Sequence, residues 1–252
     1  MPLLALRMSQ PFIVVDVTRI AGMSGVSRGA GCTRIGPATR QNDALADPIL
    51  ARHVPALVTA LRQVGHHQTR NRGTIGGSIA FGEPAAEMPA TAVALGGVIE
   101  ARSVRGTRRI AALDFYLAPY ATALEPDELI TAIEVPDWPE GSVTVFREVA
   151  RRPGDFALVG LIGALTVSDG RIDRAGLAWF GMGPTPMRAL GAEVALAGVA
   201  IDRIDAAAIA DLALADTAPF DDHHASAEYR RTVGRRIFAT ALGSALDERR
   251  AA

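Results

Sequence analysis

A glycine-rich segment between residues 70 and 87 constrains the fold of this chain more than any other feature of its sequence. It reads Arg-Asn-Arg-Gly-Thr-Ile-Gly-Gly-Ser-Ile-Ala-Phe-Gly-Glu-Pro-Ala-Ala-Glu. Because glycine lacks a Cβ atom, consecutive main-chain amides in such a segment can turn toward one ligand and bind an anion. The glycine spacing matches neither G-x-G-x-x-G nor the P-loop motif. The residues alone leave two interpretations open, a diphosphate-binding loop and a tight turn between strands.

The diphosphate-binding interpretation assigns a role to the main-chain amides of residues 74–78. We expect these amides to be free and to surround the negative charges of a dinucleotide. Thr74 and Ser78 add hydroxyl groups to the same turn, and Glu87 can accept a hydrogen bond from a ribose or an adenine amine. This segment is therefore the first candidate for a binding site.

Composition excludes several other functions. The chain has 252 residues and a formal net charge of −1, which argues against a nucleic-acid partner. Its single cysteine, Cys32, cannot form an intrachain disulfide, and an iron–sulfur cluster needs about four thiolates. The adjacent histidines 66–67 and 223–224 point apart on a helix or strand, so we expect no metal site. Residues 1–15 are too short for a signal peptide or a membrane span, and we expect a cytoplasmic protein.

Hydrophobic periodicity predicts an α+β fold with two parts. Residues 12–17 are a β-branched run and predict a buried strand, and Asp47-Pro48 predicts a helix start. Turn-forming residues 137–142 separate two patterns and mark a domain boundary. Beyond it, we expect a sheet with a tight Asp169-Gly170 hairpin and helices on one side. Further strands are predicted at 32–37, 98–103, 109–111, 130–135, 143–149, 162–168 and 171–180, and helices at 48–61, 87–95, 113–117, 188–198, 205–215 and 226–248.

Four motifs in order resemble those of one known family. They are Arg-Asn-Arg-Gly-Thr-Ile-Gly-Gly-Ser at 70–78 with its continuation to Pro89, Leu-Glu-Pro-Asp-Glu-Leu-Ile at 124–130, Arg-Arg-Pro-Gly-Asp-Phe-Ala at 151–157, and His-Ala-Ser-Ala-Glu-Tyr-Arg at 224–230. The chain resembles the FAD-binding medium subunit of molybdenum hydroxylases, of the carbon monoxide dehydrogenase and xanthine dehydrogenase type. The match covers essentially the whole chain. It departs from the family pattern at Phe81, where histidine or threonine is common, and at Gly82 and Glu83.

The resemblance implies a fold and a function. It implies an FAD-binding α/β domain of the PCMH type over residues 1–138, lacking its first subdomain, and a C-terminal α+β sandwich domain over 143–249. It implies an oxidoreductase subunit that passes electrons from [2Fe–2S] clusters on a small subunit, through FAD, to an external acceptor. Substrate oxidation takes place on a large molybdenum-cofactor subunit. Neither a metal nor an iron–sulfur cluster is expected on this chain.

The resemblance also implies which residues hold FAD. Thr74, Gly76, Gly77 and Ser78 hold the diphosphate, Glu87 contacts the adenosine side, and aliphatic residues with the 151–155 loop border the ring. The full set of candidate residues is Arg72, Thr74, Ile75, Gly76, Gly77, Ser78, Phe81, Glu87, Leu129, Ile130, Arg151 and Asp155.

One family feature is missing from the sequence. Relatives carry a first phosphate loop of the form A-G-G-x-S-L, and residues 1–8 resemble the sequence just after it. Two alternatives therefore stay open: a flavin-free structural subunit, and a stand-alone FAD oxidoreductase. A purified chain without flavin absorbance would favour the flavin-free structural subunit. A monomer that turns over substrate without partner subunits would favour the stand-alone oxidoreductase.

Overall fold

The computed structural model describes Leu4, Arg7, residues 10–29 and residues 31–251. Its strands are β1 (Val26–Gly29), β2 (Cys32–Ile35), β3 (Val98–Ser103), β4 (Gly106–Ala111), β5 (Tyr116–Ala118), β6 (Ala121–Thr122), β7 (Leu129–Pro136), β8 (Val143–Val149), β9 (Val159–Ser168), β10 (Arg171–Phe180) and β11 (Met187–Arg188). Its helices are α1 (Gln41–Ala46), α2 (Pro48–His53), α3 (Pro55–Leu61), α4 (His67–Arg72), α5 (Ile75–Phe81), α6 (Glu87–Ala94), α7 (Ala112–Phe115), α8 (Leu190–Leu196), α9 (Ala206–Ala215) and α10 (Ala227–Ala251), with a 3₁₀ turn at Ile201–Arg203. These elements form the mixed α+β fold that the sequence predicts.

The first half contains a five-stranded sheet in the order β1-β2-β7-β3-β4. Neighbouring strands in it are antiparallel, and side chains alternate between a buried and a solvent-facing side. The solvent-facing side carries Arg34, which binds Glu100 and Glu134 at 2.7 and 2.6 Å. The buried side packs on the helices through Ile35, Ile99, Ile110 and Ile133.

Helices α2 and α3 begin where the sequence predicts, whereas α1, α4 and α5 have no predicted counterpart. Asp47 accepts hydrogen bonds from the amides of Ile49 and Leu50, so it caps α2. Pro55 starts α3 because a proline has no amide to continue the preceding helix. The predicted break near Pro55 is confirmed.

The second half contains a four-stranded sheet in the order β11-β10-β9-β8. Asp169 and Gly170 join β9 to β10 with φ angles of 49° and 70°, which are the left-handed values of a tight hairpin turn. One face of the sheet packs on α8 and α10, with α9 packed behind them. The other face packs on α3 and α6 from the first half. The helices that follow residue 142 therefore lie on one side of this sheet, as expected, but helices from the first half cover its other side.

The strand predicted at residues 12–17 is wrong. This segment has no strand, and the exposure of Phe12, Ile13, Val14 and Val15 lies between 63% and 100%. A β-branched run forms a strand only when another strand offers hydrogen bonds, and no described strand does so here. The side chain of Asp16 instead accepts from the amide and hydroxyl of Thr18 and begins a turn.

Candidate functional site

The glycine-rich segment folds as two short helices that meet at Thr74. Helix α4 ends at Arg72, Gly73 is extended, and Thr74 occupies the N-cap of α5 with φ −122° and ψ 157°. The Thr74 Oγ1 atom accepts a hydrogen bond from the Gly77 amide at 3.0 Å. The alternative of a tight turn between strands is therefore not what this segment forms.

The expectation of free amides at residues 74–78 is wrong for residues 75–78. The Ile75 amide donates to the carbonyl of Thr39 at 3.0 Å, and the Gly76 amide donates to that of Pro37 at 2.8 Å. The Gly77 and Ser78 amides both donate to Thr74, to its side chain and to its carbonyl. The N-cap and the neighbouring 37–39 segment thus use the donors that we had expected to face a diphosphate.

The two adjacent glycines have different structural roles. Gly76 is buried, and a Cβ atom there would overlap the Pro37 side chain, so Gly76 allows the 37–39 segment to pack on α5. The predicted contact of Gly76 with the diphosphate stays a prediction. Gly77 is exposed, and a Cβ atom there would lie 2.8 Å from Thr74 Oγ1. Its missing side chain keeps the Thr74 hydroxyl open to solvent.

The surface around Thr74 fits an anion through side chains. Thr74 Oγ1 accepts from Gly77, which leaves its own O–H free to donate to a ligand. Ser78 adds a second hydroxyl one turn along α5. The Arg40 guanidinium donates to the carbonyl of Arg72, and this brings two positive charges to the end of α4. Two hydroxyls and two arginines suit a diphosphate.

The predicted 151–155 loop lies beside the start of α4. A Cβ atom at Gly154 would lie 2.9 Å from His66 Cε1 and 3.0 Å from the carbonyl carbon of Gly65. Arg151 is exposed, and Asp155 lies 4.0 Å from Arg152. The loop therefore lies beside the residues that precede α4, and its charged side chains are exposed.

The far end of α5 reaches the second sheet. Phe81, the last residue of α5, lies next to Tyr120, with ring centroids 5.1 Å apart. Just beyond α5, the Pro84 carbonyl accepts from the Gly181 amide at 2.9 Å. A Cβ atom at Gly181 would lie 2.9 Å from the carbonyl oxygen of Ala157, at the end of the 151–157 loop. The segment that follows α5 therefore lies next to the end of the 151–157 loop.

Comparison with known proteins identifies the family. Residues 1–138 match the FAD binding domain in molybdopterin dehydrogenase, and residues 144–245 match the CO dehydrogenase flavoprotein C-terminal domain. The chain belongs to the family of FAD-binding medium subunits of molybdenum hydroxylases. The predicted resemblance is confirmed, and the chain is an oxidoreductase subunit with FAD as the family's cofactor.

Relatives and solved structures of medium subunits agree along most of their length. The nicotine 6-hydroxylase medium subunit of Paenarthrobacter nicotinovorans is 36% identical, over 91% of this chain and 81% of its own length. The carbon monoxide dehydrogenase structure of Hydrogenophaga pseudoflava has a TM-score of 0.93 at 32% identity, over 97% of this chain and 85% of that one. Quinoline 2-oxidoreductase from Pseudomonas putida 86 has a TM-score of 0.91 at 33% identity, with 98% and 86% covered.

Two other candidate FAD-binding residues of this medium subunit lie on β7, namely Leu129 and Ile130. Ile130 is buried in the core of the first half, whereas Leu129 is 48% exposed. Helix α5 packs against β7, and Ile79 of this helix belongs to the same buried cluster as Ile130. Ile75 is buried at the start of α5 in the same core.

Glu87 does not lie on the surface around Thr74. It is 4% exposed on the first turn of α6, where α6 packs on the second sheet, and its predicted contact with an adenosine stays a prediction. Burial raises the pKa of Glu87 to about 8, and the charge of Glu148 on β8 adds a smaller effect. Burial also raises the pKa of Glu148 to about 7, and its Oε2 is buried without a partner among the described residues. Sequence periodicity gave no sign of this carboxyl pair, because one member lies on a helix of the first half and the other on a strand of the second.

Within the described ranges of this medium subunit, no helix is both long and apolar enough to cross a membrane.

Proposed function

We propose that this chain binds FAD with the diphosphate at Thr74 and the ring toward Phe81 and the 151–155 loop. The observation that carries this proposal is the position of the Thr74 hydroxyl. It accepts a hydrogen bond from the Gly77 amide, and it stays uncovered because Gly77 has no side chain. When bound, FAD exchanges electrons singly or in pairs, which suits it to join one-electron clusters to a two-electron acceptor.

The residues of the chain bind and orient the cofactor. Thr74 and Ser78 donate hydroxyl hydrogen bonds to the diphosphate, and the charge of Arg72 adds attraction. Leu129 contributes its exposed apolar side chain at the edge of the ring region. The charge of Arg151 stabilises negative charge there, and Asp155 holds the loop that carries Arg151.

Partner subunits supply the remaining redox centres of the proposed complex. Its relatives include proteins named as medium subunits or chains of nicotine 6-hydroxylase, glyceraldehyde dehydrogenase and carbon monoxide dehydrogenase. Because Cys32 is the only cysteine, a thiolate-bound cluster needs another chain. We therefore propose a complex with a [2Fe–2S] small subunit and a molybdenum-cofactor large subunit in the cytoplasm. We also retain residues 1–138 and 143–249 as the proposed domains, because turn-forming residues join the two sheets.

Replacing the Thr74 hydroxyl tests the diphosphate site. A hydrogen bond to a charged group contributes about 1.5–3 kcal/mol, so Thr74→Val should weaken FAD binding by roughly 10- to 100-fold. Flavin absorbance per protein and the Kd for added FAD, measured on the purified complex, report this loss. Thr74→Ser keeps the hydroxyl and should retain the flavin. Thr240→Val, on the exposed side of α10, is the surface control.

Two outcomes contradict the proposal in different ways. A folded Thr74→Val variant with full flavin content shows that FAD binds elsewhere on the chain. A wild-type complex that neither contains nor takes up flavin supports the flavin-free structural subunit.

A further inference from the structure

We propose that Tyr120 is a flavin-ring contact and forms, with Phe81, an aromatic wedge against which the isoalloxazine ring packs. This inference rests on the proposed function, because it needs FAD at the Thr74 end of α5. Nothing in the sequence pattern marks Tyr120, which reaches this position through the turn between β5 and β6.

The structure holds Tyr120 in an unusual conformation. Its φ is +61°, a left-handed value that residues other than glycine rarely adopt. Two hydrogen bonds fix it there: its amide donates to the Gly82 carbonyl at 3.1 Å, and its hydroxyl donates to the Glu83 carboxylate at 2.7 Å. Such an over-determined backbone outlier is typical of functional sites.

An aromatic surface at this position remains open to a ligand. Tyr120 is 51% exposed and Phe81 is half-buried, and their rings are inclined by 50°. Aromatic rings gain from stacked or edge-to-face contact with other planar rings. The two side chains thus form a wedge with an unfilled apolar face.

The position of the wedge relative to Thr74 suits FAD as its occupant. Thr74 caps the first end of α5 and Phe81 ends it, and a seven-residue helix is about 10 Å long. In FAD, the ribityl chain separates the diphosphate from the ring. A diphosphate at Thr74 therefore allows the ring of the same molecule to reach Phe81 and Tyr120.

The phenol of Tyr120 provides a spectroscopic test. Burial and the hydrogen bond to Glu83 raise the pKa of Tyr120 to about 12, so the phenol is neutral at physiological pH. A phenol in contact with an excited flavin gives it one electron, which then returns, so the flavin loses its fluorescence without net chemistry. Phenylalanine cannot give this electron.

The experiment measures the fluorescence yield of bound FAD in the purified complex. Tyr120→Phe keeps the ring and the wedge, so FAD should stay bound while its fluorescence yield rises severalfold. Tyr229→Phe, on the first turn of α10, is the matched control and should leave the yield unchanged. Tyr120→Ala removes the ring contact and should raise the Kd for FAD by about tenfold, at the size of one aromatic pair.

The outcomes separate the inference from the proposed function. Equal fluorescence yields in wild type, Tyr120→Phe and Tyr229→Phe, with FAD bound in all three, overturn the contact with Tyr120 and leave the Thr74 site intact. An unchanged Kd in a folded Tyr120→Ala variant overturns it as well. Absence of bound FAD from the wild-type complex contradicts the proposed function itself.

Discussion

Replacing the buried carboxyl of Glu87 should change how the stability of this protein depends on pH. Glu87 is 4% exposed, and its pKa is raised from 4.5 to about 8. The folded chain therefore keeps a proton on Glu87 that the unfolded chain releases at neutral pH. Because the folded state binds more protons, the free energy of unfolding falls as the pH rises from about 4.5 to about 8.

The size of this effect follows from the pKa difference. One unit corresponds to about 1.4 kcal/mol, and the folded carboxyl is half deprotonated at pH 8, so Glu87 lowers the free energy of unfolding by roughly 2 kcal/mol between pH 6 and pH 8. Glu148, with a pKa of about 7, adds a smaller decrease in the same direction because it is only partly buried. Glu87→Gln has no proton to lose, so most of the wild-type decrease should disappear.

Urea unfolding at several pH values between 6 and 8 measures the effect. The wild type, Glu87→Gln, Glu148→Gln and the exposed-site control Glu140→Gln should be compared at equal ionic strength. Glu140→Gln should follow the wild type, and Glu148→Gln should fall between the wild type and Glu87→Gln. A wild-type slope that persists in Glu87→Gln would refute the assignment of a buried, protonated carboxyl to this position.

Two further substitutions test packing and buried polar contacts. Gly76→Ala should destabilise the fold by about 1–3 kcal/mol, because the added Cβ atom would overlap Pro37. Gly243→Ala, in open space on α10, should stabilise the fold by about 0.5–1 kcal/mol. Thermal unfolding compares the two variants, and equal Tm values would contradict the overlap at Gly76. Arg230 is buried and donates to the carbonyls of Leu158 and Gly181 and to Asp222. Arg230→Met should therefore cost about 1–3 kcal/mol, because it leaves these two carbonyls without their donor. A loss below 1 kcal/mol in urea unfolding would show that these contacts contribute little.

Local sequence signals predicted most of the secondary structure and the family. The Asp47 cap, the break at Pro55 and the Asp169-Gly170 hairpin each depend on the chemistry of one or two residues, and all are confirmed. The strand prediction for residues 12–17 was wrong, because strand formation depends on a partner strand that periodicity cannot reveal.

The candidate site was predicted less completely than the fold. The motif located Thr74, but the partners of its amides come from residues 37–39, which no local pattern connects to it. Glu87 appeared available to a ligand because its burial results from packing on the second sheet. Tyr120 was missed because its left-handed backbone and its contact with Glu83 arise only in the folded chain.

The sharing of one core between the two sheets limits how such proteins can recombine. Ile162, Ala164, Ala178 and Phe180 belong to the second sheet, yet they pack in the same cluster as Met88 and Val93 of α6. The two halves match separate family models, but neither buries this cluster by itself. A chimaera that joins halves of two relatives must therefore carry side chains of complementary volume on both sides of this contact. Evolution can exchange the halves as sequence modules only when these residues change together.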